Sequence, residues 1–295
     1  MKPCSETETH RVLQYGLYPF LLIAMLSYAA LELSLPAGQV GRYYAYYLSA
    51  RVVLMLLVET LHPLRSEWRM TKASFLRRDL PFMLIGGISI GLSNYAAGWA
   101  ALHFGLARGD AHAALPLVPA VLLALVIPDF IWYWVHRLSH EGRGRFGGWL
   151  WKMHLAHHLP QQVYLLMHAV AHPANTILVR AILTLPLFFL GFTAEALFVA
   201  NLILGLQGFV SHFNVDVRVG WVNYFLMGAE LHRYHHSADP AQAKNYGAVV
   251  TLWDQLFGTF YYRPGSVAQR LGLEHPEQYP TDRDILKVLA LPFHK

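Results

Sequence analysis

Cysteine is nearly absent: the 295-residue chain has one, Cys4. A lone cysteine makes no internal disulfide and cannot supply a thiolate-based metal site, so any metal must be held by other side chains. Charge is scarce too. Only 14% of residues are charged against 55% hydrophobic, and the mean hydropathy is +0.32, which excludes an ordinary soluble domain and points to a membrane protein. No nucleic-acid module and no low-complexity linker is visible, and the net charge of +5 is concentrated in loops, where it suits anionic lipid headgroups. The N-terminus lacks a short apolar run followed by a small-residue cleavage site, so the first hydrophobic stretch reads as a retained span. The metalloprotease pattern His-Glu-x-x-His is missing as well, because His140-Glu141 is followed by no histidine at the required position.

Histidine, by contrast, is abundant. The chain has 17, and eleven fall between His136 and His236. The stretch from Asp129 to His158 carries His136 and His140 four apart, then His154, His157 and His158; the triplet pattern returns as His232, His235 and His236. Residues four apart share a helical face, so His136 and His140 point imidazoles at one place, with Asp129 and Tyr133 on the same face. Within His-x-x-His-His, His154 shares a stripe with His157 or His158, leaving the other for a neighbouring position. Isolated histidines such as His10, His62, His103, His112, His275 and His294 are assigned no role.

Windows of about 20 apolar residues, the length of a bilayer span, occur near Gly16–Leu35, Tyr43–Leu61, Leu80–Phe104 and Ala113–Val135. Glu32 and Glu59 lie near span ends and are expected to reach the headgroups. Arg65, Arg69, Lys72, Arg77 and Arg78 follow the second window, and Arg137, Arg143, Arg145 and Lys152 follow the fourth; the connections Pro36–Arg42 and Gly105–His112 hold one arginine each. Positive loops stay in the cytoplasm, which places both termini and every histidine cluster there. Between His172 and His212 the apolar stretch is broken by Pro186 and Gly191, and it must return to the face it left if the flanking histidines build one site; it reads as a re-entrant or crossing hairpin. The expected organisation is 1–112 for N-terminal spans, 113–263 for a catalytic domain and 264–295 for a C-terminal tail.

Eight clustered imidazoles are twice what one tetrahedral zinc needs, which suggests two metal ions. All-nitrogen sites suit iron, copper, nickel or zinc. A membrane-embedded site beside an apolar substrate fits iron working with dioxygen, with zinc as a substitute. Asp129 and Asp254 are expected to hydrogen-bond ligand imidazoles. A non-catalytic metal carrier is the competing class, but carriers place ligands along a path within the spans, whereas these clusters fall at span ends and in polar segments.

The motifs HRLSH, KMHLAHH, the His-Pro pair at His172, SHFN at His212, and HRYHH followed by NYG and WDQLFGTF resemble the fatty acid hydroxylase/sterol desaturase superfamily over roughly Leu115 to Arg263. The resemblance implies an all-α integral membrane bundle of four spans plus the hairpin, capped on its cytosolic face by a histidine-rich dimetal centre. It implies His136, His140, His154, His157, His158, His232, His235 and His236 as metal ligands, with His212 and His172 at further family positions. The implied reaction is oxygen-dependent hydroxylation of a lipid, or desaturation, with electrons from an external donor of the cytochrome b5, ferredoxin or reductase type. Two departures stand out: Val170 replaces an arginine often found before the His-Pro pair, beside an extra His168, and no fused cytochrome b5 module is present.

Overall fold

The computed structural model describes residues 4–36, 39–103 and 115–294, and within these residues it is helical with no strand, only isolated bridges at Leu226–Val250 and Ser237–Leu271. The expected connection Gly105–His112, with Phe104 and Ala113 at the adjoining span ends, lies outside the described residues. Helix α1 is Cys4–Leu33 and α2 is Tyr44–Leu61; α3, Lys72–Ser74, is opened by a capping box between Thr71 and Ser74 and runs through a π-turn into α4, Leu80–His103. Then come α5 (Leu117–Glu141), α6 (Gly144–His158), α7 (Pro173–Phe189), α8 (Ala194–Ser211), α9 (Ala229–His235), α10 (Leu252–Leu256) and α11 (Ile285–Ala290).

Among the described residues five helices are long and apolar enough to cross a membrane: His10–Leu33, Tyr44–Leu61, Ser66–Ala100, Leu117–Glu141 and Ala194–Ser211. Their outward faces carry large apolar side chains such as Ile23, Val53, Ile88 and Leu122, which have no protein partner to bury them and belong against lipid. The expected hairpin is α7 and α8, with Thr193 capping α8 by accepting from Ala196 N at 3.2 Å. Its 17-residue first arm is shorter than the five candidate spans. The α5–α6 corner is built on Gly142, at φ +59, and Gly144, at φ +67, a left-handed pair that ends one helix and opens the next. This corner folds α6 back on α5 and sets His154 and His158 against His136 and His140.

One apolar core joins α1, α2, α5 and α8. A second lies in the cap, where Leu155, Tyr164 and Met167 meet Trp68 and Phe82 on one side and Leu271, Leu273 and Val288 of the C-terminal segment on the other. Arg78, in the π-turn, ties these pieces together by donating to Asp79 at 2.8 Å and to Tyr164 and Asp282. Glu32 and Glu59 depart from expectation. Neither reaches the headgroups: Glu32 accepts from Tyr28 Oη, Gly41 N and Tyr43 N, and Glu59 accepts from Leu165 N and Asn214 N. A buried carboxylate is retained where backbone N–H groups of irregular segments would otherwise lack an acceptor.

Candidate metal centre

The structure gathers nine histidines into two adjoining groups. His136, His140, His154, His158 and His235 form one, and His157, His212, His232 and His236 the other; within each, the ring nitrogens that face one another all lie within 4.8 Å. Helix geometry decides the sorting. In each triplet the residues four apart stay together, His154 with His158 and His232 with His236, while His157 and His235 turn to the other group. The groups share a wall, since the His158 ring stacks on that of His236 at 4.4 Å.

Backbone carbonyls set the tautomers. A carbonyl can only accept, so the facing nitrogen must carry the proton. His136 Nδ1 donates to Tyr246 O at 2.7 Å and His235 Nδ1 to Lys244 O at 2.9 Å; His157 Nδ1 donates to Val170 O at 3.0 Å and His212 Nδ1 to Gly208 O at 3.1 Å. Neutral rings held in this way present unprotonated Nε2 lone pairs to the centre of each group. His157 Nε2 and His212 Nε2 then stand 3.0 Å apart with no hydrogen between them. Such an arrangement is repulsive unless a cation lies between the lone pairs. A proton is a poor candidate, because burial lowers the pKa of His157 to about 4 and, with neighbouring imidazoles, holds that of His212 well below the usual histidine value.

The other facing Nε2 pairs are 2.9 Å for His136 and His154, 3.0 Å for His154 and His158, and 3.1 Å for both His212 with His232 and His232 with His236. Two nitrogens bound to one ion at about 2.1 Å stand roughly 3.0 Å apart when they subtend a right angle. The spacing therefore fits a metal ion in each group. His140 Nε2 and His235 Nε2, both buried, have no hydrogen-bond partner, as expected of donors kept for an ion.

His172 joins neither group. Its Nε2 donates to Leu289 O at 3.1 Å and its Nδ1 accepts from Ala174 N at 3.1 Å, so both nitrogens are used by backbone. His168 also stands apart, its ring 5.2 Å from that of His212 and packed on Gly208, where a Cβ would come within 2.6 Å of it.

Asp129 and Asp254 do not touch an imidazole, contrary to expectation. Asp129 accepts from Ala248 N at 2.8 Å and Val249 N at 2.9 Å; Asp254 accepts from Tyr246 N at 2.8 Å, Gly247 N at 2.9 Å and Thr259 Oγ1 at 2.6 Å. Backbone donors outcompete the rings because the 246–249 loop is irregular and its buried N–H groups need acceptors. The two acids clamp the loop whose Tyr246 carbonyl orients His136. Burial raises the Asp254 pKa to about 6, against the opposing hydrogen bonds. Gly247 is required there, since a Cβ would meet Val250 O at 2.2 Å and both carboxylates at 3.2 Å. Asn245 precedes the clamp at φ +63, a conformation asparagine tolerates, and its amide bonds Leu231 O at 3.0 Å and Tyr261 O at 2.9 Å. The Asn-Tyr-Gly stretch was visible in the sequence; its orienting carbonyl was not. Arg233, between the histidines of the second triplet, donates to Phe213 O at 2.6 Å and Val215 O at 2.5 Å and so fixes the segment after His212.

Residues 121–259 match the fatty acid hydroxylase family model. The chain is 28% identical over 280 residues to an ornithine lipid hydroxylase, OlsE, from Rhizobium tropici, covering 88% of this chain and 81% of that protein. It is 31% identical over 156 residues to a putative methylsterol monooxygenase from Dictyostelium discoideum (51% of this chain, 55% of that protein). It is 28% identical over 156 residues to the human alkylglycerol monooxygenase (50% and 32%), so it spans less than two thirds of these last two relatives. No solved structure matches. The family match covers the elements that carry all nine clustered histidines, and residues 121–259 of this chain form a fatty acid hydroxylase domain.

Proposed function

We propose that the protein is a membrane-bound diiron monooxygenase that hydroxylates a C–H bond of a lipid. Dioxygen and two electrons from an external donor, with two protons, convert the C–H group to C–OH and release one water. The observation that carries the reading is the His157–His212 pair, whose unprotonated Nε2 atoms face each other at 3.0 Å in a site where burial disfavours a proton. The ligands are the nine clustered histidines, five to one ion and four to the other, without His172. Iron bound there supplies the redox chemistry with dioxygen that an apolar C–H bond requires.

The chain's own residues hold the rings and control access. Tyr246, Lys244, Val170 and Gly208 carbonyls fix four imidazoles in one tautomer. Trp132 stacks on His136 at 4.8 Å and keeps water off that face. The lipid enters from the bilayer beside α5 and the α7–α8 hairpin, which bring the membrane core to the cap. The Arg65–Lys72 and Arg137–Lys152 segments lie on the histidine side, supporting a cytoplasmic cap. The relatives acting on ornithine lipid, alkylglycerol and methylsterol support a polar-ended lipid over a soluble substrate. The family match over 121–259 supports a catalytic unit within 113–263, preceded by spans and followed by the tail.

The test is comparative lipid mass spectrometry of cells with and without the protein, paired with metal analysis. A product 16 mass units heavier than its precursor is expected; a loss of two mass units would assign desaturation instead, and no change with any lipid would leave a metal carrier. Iron-replete anaerobic preparation should yield two metal ions per chain.

A further inference from the structure

A cavity of about 400 Å³ opens in the cap, walled by residues after α9 and by the C-terminal segment. His140, His158 and His235 line it, all three from the five-histidine group, whereas none of His157, His212, His232 and His236 does. Two of the buried ring nitrogens without partners, His140 Nε2 and His235 Nε2, belong to lining rings, whereas His154 Nδ1, His232 Nδ1 and His236 Nδ1 belong to rings off the cavity. Its remaining wall is mixed, with Trp151, Pro240 and Leu273 beside charged residues. Glu141 lines it, already held by Arg137 at 2.7 Å and Arg143 at 3.2 Å, together with Lys244 and the exposed Glu274, which makes no ion pair among the described residues. A water occupies roughly 30 Å³ of liquid, so the space admits a divalent ion with a first shell of about six waters.

We propose that this cavity is the aqueous port of the five-histidine centre: a hydrated divalent metal ion enters and leaves through it, and the four-histidine centre exchanges by a separate route. The port rests on the two-centre reading above. Three rings at the end of such a space can replace an ion's waters one at a time, which keeps the ion from being stripped of all its ligands at once. The four-histidine centre has no ring on that space. His157, His212 and His236 are at most 9% exposed, and His232, which is partly exposed, does not line the cavity.

The experiment loads the full-length protein in lipid nanodiscs with zinc, adds the water-soluble chelator EDTA, and counts zinc remaining with time. Loss of one equivalent in a fast phase and one in a slow phase is expected. Ala243 lines the cavity and holds no ligand, so in the Cys4→Ser background an Ala243→Cys protein, blocked after loading with a bulky maleimide, should lose the fast phase and keep the slow one. Ala243→Trp supplies the same plug genetically. Both ions leaving in one phase, or a plug that slows both phases or neither, would overturn the port. A starting content below two ions overturns the two-centre reading itself.

Discussion

The five-histidine and four-histidine groups draw on the same two triplets yet hang from different parts of the molecule. His136 and His140 come from the end of α5, and their group is braced by the 246–249 loop that Asp129 and Asp254 clamp. The four-histidine group takes His212 from the end of α8, and its bracing carbonyls are those of Val170, just before the α7–α8 hairpin, and Gly208, in the last turn of α8. Each centre thus ties the cap to a different membrane helix, the first to α5 and the second to α8. The triplets cross-link them: each gives two rings to one group and the third to its neighbour. Neither centre can form unless both α6 and α9 are in place.

That comparison breaks first if one centre proves dispensable. His235→Ala and His232→Ala should each lower bound metal from two ions to one, and each should reduce lipid product by about a hundredfold or more, because a misplaced reacting group alone costs that much. Metal analysis and product formation with a reductase system check this; retention of activity by either variant would show that one ion suffices.

A second outcome concerns the empty rings. Burial lowers the folded pKa of His157 from 6.5 to about 4, so the unfolded chain binds the proton first as pH falls. Stability of the metal-free protein is full above pH 6.5 and is lost as pH falls toward 4, by about 3 kcal/mol for this residue alone. Thermal unfolding across that window should show the loss, and bound metal should move it to lower pH.

Loosening one bracing set at a time sharpens the difference. Asp254→Asn and Gly247→Ala disturb the loop behind His136 and should weaken metal at the five-histidine centre by about 10- to 100-fold, leaving the other centre unchanged. Competition with a calibrated chelator reads this. The smallest effect is expected from Gly208→Ala, whose new Cβ strikes the movable His168 ring at 2.6 Å rather than backbone. It should alter only the four-histidine centre, by a few-fold at most on the order of 1 kcal/mol, measured in the same titration.

Much of the site could be read in the sequence because imidazole spacing is a direct image of helix geometry. His136 with His140, and the two triplets, declare their faces by intervals of three and four. The intervals left open which of His157 and His158 would share a face with His154, and the structure pairs His154 with His158. The spans were legible for the same reason: long apolar windows have one stable form in lipid. The roles of Glu32, Glu59, Asp129 and Asp254 were not legible. Each carboxylate answers unpaired backbone N–H groups in an irregular segment, and which N–H groups are unpaired depends on the fold. His172 misled for a related reason, since the carbonyl of Leu289 that occupies it lies 117 positions away.

Four of the nine rings are oriented by peptide oxygens rather than by side chains. Conventional genetics is blind to such a scaffold: replacing Lys244 or Val170 with alanine deletes a side chain and leaves its carbonyl where it was. A survey of point variants would therefore report these positions as tolerant and understate how much of the centre is specified. Exchanging the peptide bonds for esters, which weakens one carbonyl acceptor without altering any side chain, is the perturbation that would reveal them.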